Sequence, residues 1–305
     1  MSQPTWSPSS ADPAIAEVRD QLLKLDPDGF RMATVFRRTF DQLYDGQHTG
    51  RYKLDQLFKT EKTHFGTLIE INLQRELKLD DGGTLDFNIA GHEVDCKYSH
   101  TGRWMLPIES FDQIVLVTQA DDHRSTWSAG LVRVTEQNRR ASENRDRKTA
   151  LNSRGRGDIS WLYEGAQMPP NALLSLSEAE VETIMGARSG QARLNELFRR
   201  ATNLRLTRST IATVGQQKDF MKRARANGGS RTALRPEGYL ILVGDYAGQR
   251  ATAEALGSVV PQPGELVSVK VVPAPPESGV KIDLAWWRLA HEDEEVTEPA
   301  PVLPR

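Results

Sequence analysis

The chain has a single cysteine, Cys96, in 305 residues. That excludes an internal disulfide and any multi-cysteine zinc site. No apolar run approaches the roughly 20 residues that a membrane-spanning helix needs. Residues 1–13 are polar and lack a basic segment followed by an apolar one, so no secretory signal is expected, and a reducing, cytoplasmic setting fits. The six histidines, His48, His64, His92, His100, His123 and His291, show no zinc-ligand spacing. Internal repeats are also lacking.

What is present is length enough for about two domains and a hydrophobic share of 38% that supports real cores. The net charge of −2 conceals an asymmetry. Residues 186–236 hold twelve Arg and Lys against two acids, Glu196 and Asp219, whereas residues 291–305 carry Glu292, Asp293, Glu294, Glu295 and Glu298 among prolines. An anionic partner responds to that distribution, not to the sum.

Residues 1–12 are Ser/Pro-rich and expected to be disordered. A helix is predicted from Asp12, with Ile15, Val18, Leu22 and Leu25 at helical spacing and Pro27 beyond its end. A second spans residues 31–44, and a third spans residues 66–77. The period then changes. Residues 84–89 and 92–98 alternate around Ala90-Gly91, which predicts a hairpin. Strands are expected over residues 111–118 and 127–134, an exposed charged loop or loose helix over 136–156, and a linker with Pro169-Pro170 over 164–171. Further on, Ser177 with Glu180 gives a capping signature. Helices are expected over residues 191–201, 208–217 and 219–226, then a strand at 239–243, a helix at 247–256, and strands at 266–272 and 280–289. The whole reads as α+β, with one domain at 10–163, a second at 172–290 and an acidic, Pro-rich tail at 291–305.

The hairpin carries the chemistry. Asp86 falls on its first strand, and Asp95 and Lys97 on its second. Strand side chains alternate, so Asp95 and Lys97 share a face and Cys96 points away. Two carboxylates suit Mg²⁺, a hard cation that prefers oxygen ligands, for polarising a scissile phosphate. Lys97 suits the developing negative charge. Glu70, in the preceding helix, is a natural further ligand.

This arrangement resembles the PD-(D/E)xK nuclease superfamily, with Leu85 where a proline often precedes the first aspartate. A more specific likeness lies in residues 67–76, in Ile89-Ala90-Gly91 through Ser99, and in Trp104-Met105-Leu106-Pro107. Residues 127–134, Asp219-Phe220-Met221-Lys222-Arg223, residues 225–229 and residues 234–238 extend it. These segments resemble the NaeI family of restriction endonucleases over about residues 31–257. The resemblance implies a mixed-sheet endonuclease domain whose active site is Glu70, Asp86, Asp95 and Lys97. It also implies a topoisomerase-like C-terminal domain with a winged-helix, catabolite-activator-like helix-turn-helix. It further implies Mg²⁺, a homodimer, and two bound copies of a double-stranded DNA site, one cleaved and one acting as effector. The expected palindrome is GCCGGC, cut at its centre, with a cognate DNA methyltransferase protecting the host.

The basic block points to DNA independently. Arg208, Lys218, Lys222, Arg223, Arg225, Arg231 and Arg235 surround helical segments, and phosphate contacts by such residues supply affinity and salt dependence. Two other signals are weaker. Leu43-Tyr44-Asp45-Gly46 resembles the K-x-D-G motif of DNA ligases but has leucine where the nucleophilic lysine belongs. Tyr239 and Tyr246 flank a strand, where packing explains them. The rival readings are a strand-nicking, mismatch-repair-type nuclease of the same superfamily and a non-catalytic DNA-binding regulator. The complete quartet argues against the regulator.

Overall fold

The structure, a computed structural model, describes residues 12–142, 147–225 and 228–303. Most of the expected N-terminal disorder therefore lies outside the described residues, as do residues 143–146 of the charged stretch, Ala226 at the end of one expected helix, Asn227 after it, and the last two residues of the tail. The chain forms two compact units. One comprises Met1–Leu43 and Leu57–Pro170, the other Tyr44–Gln56 and Asn171–Arg305. The expected division was contiguous, whereas here residues 44–56 fold with the C-terminal unit.

The first unit opens with α1 (Pro13–Leu25), whose start is fixed by Asp12. Its carboxylate accepts the N–H groups of Ala14 at 3.1 Å and Ile15 at 3.4 Å, and Pro13 needs no partner at the first helical position. Next comes α2 (Phe30–Tyr44), then the short α3 (Gly46–Thr49) of the other unit. α4 (Lys59–Leu77) starts seven residues earlier than expected, because Glu61 reaches back to cap the N–H of Phe58 at 2.8 Å. The strands are β1 (Asp80–Asp81), β2 (Phe87–Ile89), β3 (His92–Tyr98), β4 (Ile114–Asp121) and β5 (Thr126–Arg133), followed by α5 (Ser153–Gly157) and β6 (Ser160–Gln167). They form one mixed sheet in the order β1-β2-β3-β4-β5-β6, with β3 and β4 parallel and the other neighbours antiparallel.

The two faces of this sheet differ. Phe36 of α2 stacks on Trp127 with centroids 5.3 Å apart, and Phe65 of α4 on Tyr98 at 4.5 Å, so these helices cover one face. On the other face Val115, Val117 and Val132 pack with Trp104, Leu106, Leu151 and Ile159. Two expectations change here. The first half of the expected linker is sheet, since β6 pairs with β5 as far as Gln167. The stretch 136–156, expected as an exposed loop or loose helix, is bridged at Arg139–Leu151 and Leu106–Thr149, and Ala150 and Leu151 are buried.

The second unit contains α6 (Glu178–Gly186), α7 (Gly190–Arg200), α8 (Arg208–Gly215), α9 (Phe220–Ala224), α10 (Ser230–Ala233), β7 (Tyr239–Val243), α11 (Ala247–Ala255), β8 (Leu266–Pro273), β9 (Val280–Ile282) and β10 (Ala285–Leu289). The capping box predicted at α6 forms. Ser177 Oγ accepts the Glu180 N–H at 3.3 Å, and Glu180 accepts the Ser177 N–H at 2.8 Å. The single strand expected over residues 280–289 is instead a hairpin, turned by Asp283 in the left-handed region with φ of 57°. The antiparallel sheet runs β7-β8-β10-β9. The acidic tail is part of the fold: Ala300 and Leu303 are buried in the core beneath this sheet. Among the described residues, no helix is long and apolar enough to cross a membrane.

Candidate active site

The hairpin turn forms as the sequence predicts. Ala90 and Gly91 both have positive φ, 54° and 85°, as a tight two-residue connection with the sheet's own twist requires. Its ladder pairs Ile89 with His92 and Phe87 with Val94 and ends there. Asp86, expected on the first strand of the hairpin, stands one position before β2, opposite Asp95. Its carboxylate replaces the missing ladder bond by accepting the N–H of Cys96 at 2.7 Å.

Residues 82–85, which deliver Asp86, are held by Glu93. That carboxylate accepts three successive N–H groups, Gly83 at 2.5 Å, Thr84 at 3.0 Å and Leu85 at 2.8 Å. These bonds keep Glu93 below its ordinary pKa. Gly82 is required sterically, because a Cβ there would lie 2.2 Å from the Leu85 oxygen.

Asp95 and Lys97 lie on the same face of β3, and their side chains are hydrogen bonded to each other. The Lys97 ammonium also donates to the Cys96 carbonyl at 3.0 Å and lies 3.7 Å from Asp86 Oδ2. Asp95 is buried, and the other oxygen of its carboxylate accepts from Ser110 Oγ. Ser110 is fully buried, on a 3-10 turn over Ile108–Ser110. Sequence reasoning missed it, for no local motif marks a serine fifteen residues from its partner.

Glu70 comes from α4. Phe65, Ile69, Leu73 and Leu77 make the buried stripe of that helix, and Glu70 lies about 100° round from it. Burial raises its pKa, and the charges of Asp86 and Asp95 raise it further against the opposing effect of Lys97. Asp86 is raised too, first by burial, with Asp95 adding to it and the Cys96 N–H opposing. Burial alone would lower Lys97, but Asp95 and Asp86 hold it above its ordinary value. The structure thus brings the four expected residues into one electrostatic cluster.

Three carboxylates face one ammonium; burial is the main reason Glu70 and Asp86 are raised, and the neighbouring carboxylates add to it. An all-oxygen donor set of this kind fits a hard divalent cation. Among the described residues no three side chains form a ready-made metal cage. Asp86 and Asp95 are instead both turned to Lys97, whose ammonium lies where a cation is attracted.

In the second unit, α8 and α9 are joined by a short turn with Gln216 in the left-handed region. Phe220 and Ala224 are buried, while Arg208, Lys218, Lys222 and Arg225 are exposed. Arg223 pairs with Asp219 at 3.0 Å, and Arg208 lies 5.3 Å over the Phe220 ring. Arg231 is half-buried on α10. Arg235 serves the fold: its guanidinium donates to the Ala300 carbonyl at 2.9 Å, and its own carbonyl accepts the Ala300 N–H. The ligase-like motif resolves into packing, while of the two tyrosines Tyr239 is half-buried and Tyr246 exposed. A Cβ on Gly46 would lie 2.0 Å from Thr213 Oγ1, so the glycine of the ligase-like motif allows α3 to lie close on α8. Burial raises the Tyr239 phenol, the opposite of what a nucleophile needs.

The mixed sheet thus carries two aspartates and a lysine at its hairpin, with a helical glutamate close enough for their charges to act on it. The family described as "Restriction endonuclease NaeI" matches residues 16–298. The chain is also 46% identical to "Type II restriction enzyme NaeI" of Lentzea aerocolonigenes over 305 residues, covering 96% of this chain and 95% of that one. The chain belongs to the NaeI restriction endonuclease family and is by class a type II restriction enzyme, a site-specific deoxyribonuclease.

Proposed function

We propose that this enzyme makes Mg²⁺-dependent double-strand cuts at the palindrome GCCGGC and is activated by a second copy of that site. The observation that carries the reading is the convergence of Asp86, Asp95 and Lys97 at one strand end, with Glu70 close enough for their charges to act on it. Glu70, Asp86 and Asp95 are the residues that would hold Mg²⁺. The chemistry the ion supplies when bound is neutralisation of charge on the phosphoryl and leaving oxygens. Ser110 fixes one oxygen of Asp95 and so restricts where the other points. Lys97 orients the attacking water and offsets negative charge as it develops.

The C-terminal unit is read as the effector-binding domain of winged-helix type. α8, the turn at Gln216 and α9 form its helix-turn-helix, and Lys218, Lys222, Arg223 and Arg225 lie on or beside the entering helix. Arg208 and Arg231 flank that helix, while Arg235 contributes to the fold holding it. The enzyme acts in the cytoplasm as a homodimer beside a methyltransferase that protects the same sites. The test is a supercoiled plasmid carrying several GCCGGC sites, incubated with Mg²⁺ or EDTA, with and without a short GCCGGC duplex. Site-specific linear products that require Mg²⁺ and increase with added duplex are expected. Mg²⁺-dependent cutting elsewhere would remove the palindrome, and indifference to the duplex would remove the effector.

A further inference from the structure

The described residues of the polar stretch after β5, 137–142 and 147–152, form a rooted arm. Arg140 donates its N–H to the Ala150 carbonyl at 2.9 Å, and Thr149 Oγ1 donates to the carbonyls of Arg140 at 2.7 Å and Ser142 at 3.2 Å. Asn152 Nδ2 ties the carbonyls of Gln137 and Arg139 at 2.9 and 3.0 Å. Thr149, Ala150 and Leu151 are buried beneath it. From this base Arg140, Arg147 and Lys148 stand exposed, and Arg140 and Arg147 make no ion pair among the described residues.

Three relationships place the arm beside the cutting site. Ladder partners Arg133, Ile114 and Val94 lie side by side, so β5 ends at the same sheet edge that Asp95 adjoins. Arg133, where β5 ends, and Val94 are thus two strands, about 10 Å, apart. Leu151 packs in one cluster with Val115, the ladder partner of Asp95, so the arm's root lies on the face that bears Asp95 and Lys97. Thr149 pairs with Leu106, four residues before the Ser110 that hydrogen bonds Asp95. The site itself holds three carboxylates against one lysine and repels a polyanion, so the positive charge that holds DNA there must come from its surroundings.

We infer that this arm docks the DNA substrate, with Arg140 and Arg147 gripping backbone phosphates beside the one being cut and Lys148 adding to the field. The inference rests on reading Asp86, Asp95 and Lys97 as the cleavage site. Its test uses the full chain, in EDTA, binding a duplex with one GCCGGC site between about 50 and 200 mM salt. The double variant Arg140→Ala/Arg147→Ala is expected to reduce the slope of log affinity against log salt by about 2, near 0.9 for each lost phosphate contact. Arg140→Lys/Arg147→Lys is expected to retain the slope, and thermal unfolding of both is expected to match the parent. A double alanine variant with the parental slope and affinity overturns the inference. An Asp95→Ala protein that still cuts DNA would remove the cleavage-site reading instead, and the slope would still decide whether the arm binds DNA.

Discussion

Asp86 accepts the backbone N–H of Cys96 at 2.7 Å, so one carboxylate both completes a strand edge and faces the candidate metal site. The two roles separate by substitution. Asp86→Asn keeps an oxygen for the N–H and is expected to abolish cutting with little loss of stability. Asp86→Ala also leaves the N–H unpaired and is expected to be about 1 kcal/mol less stable than Asp86→Asn. Denaturant midpoints of the two variants check this, and equal midpoints would show that the bond contributes nothing.

Ser110 touches Asp95 and nothing that reacts, so its effect runs through the carboxylate it holds. Ser110→Ala is expected to lower activity about 10- to 100-fold and to raise the Mg²⁺ concentration giving half-maximal cutting. Saturating Mg²⁺ should recover part of the loss. A fall in turnover with an unchanged Mg²⁺ titration would assign Ser110 to packing alone.

Arg37 and Asp122 are both buried and paired with each other, with Asp41 2.9 Å from the same guanidinium. Asp122→Ala strips that cation of a carboxylate in a dry setting and is expected to cost about 3 kcal/mol. Urea unfolding measures it. A cost below about 1 kcal/mol, the range of a surface pair, would contradict the buried geometry.

Asp12 caps α1 and pairs with Arg133, and that guanidinium, with the Ala14 and Ile15 N–H groups, holds its carboxyl below the ordinary value against the opposing effect of burial. A carboxyl depressed in the folded state contributes stability that is present above its unfolded pKa, near 3.8. That contribution is lost as the pH falls through the lower folded value. Asp12→Ala is expected to cost about 1 kcal/mol at neutral pH, with the gap to the parent narrowing below about pH 4. A gap independent of pH would leave the cap but remove the ion pair.

The features legible in the sequence were local. Ala90-Gly91 marked its turn, Ser177 and Glu180 their capping box, and the alternation across Asp95, Cys96 and Lys97 the face each occupies. The features that escaped depend on partners far along the chain. β6 exists because β5 offers it an edge, while the paired prolines Pro169-Pro170 mark the same stretch as a linker. Arg235 counts among the basic block by composition, yet its guanidinium is held by Ala300, 65 residues away. Residues 44–56 lie amid the first unit in sequence, but the contact of Gly46 with Thr213 belongs to the other unit.

The most direct measurement is DNA cutting and DNA binding side by side for the parent and Asp95→Ala. The account predicts that the variant loses about 10³-fold or more of its Mg²⁺-dependent cutting, while its affinity for the duplex in EDTA is unchanged. A variant that still cuts at close to the parental rate would contradict the placement of the active site at Asp95.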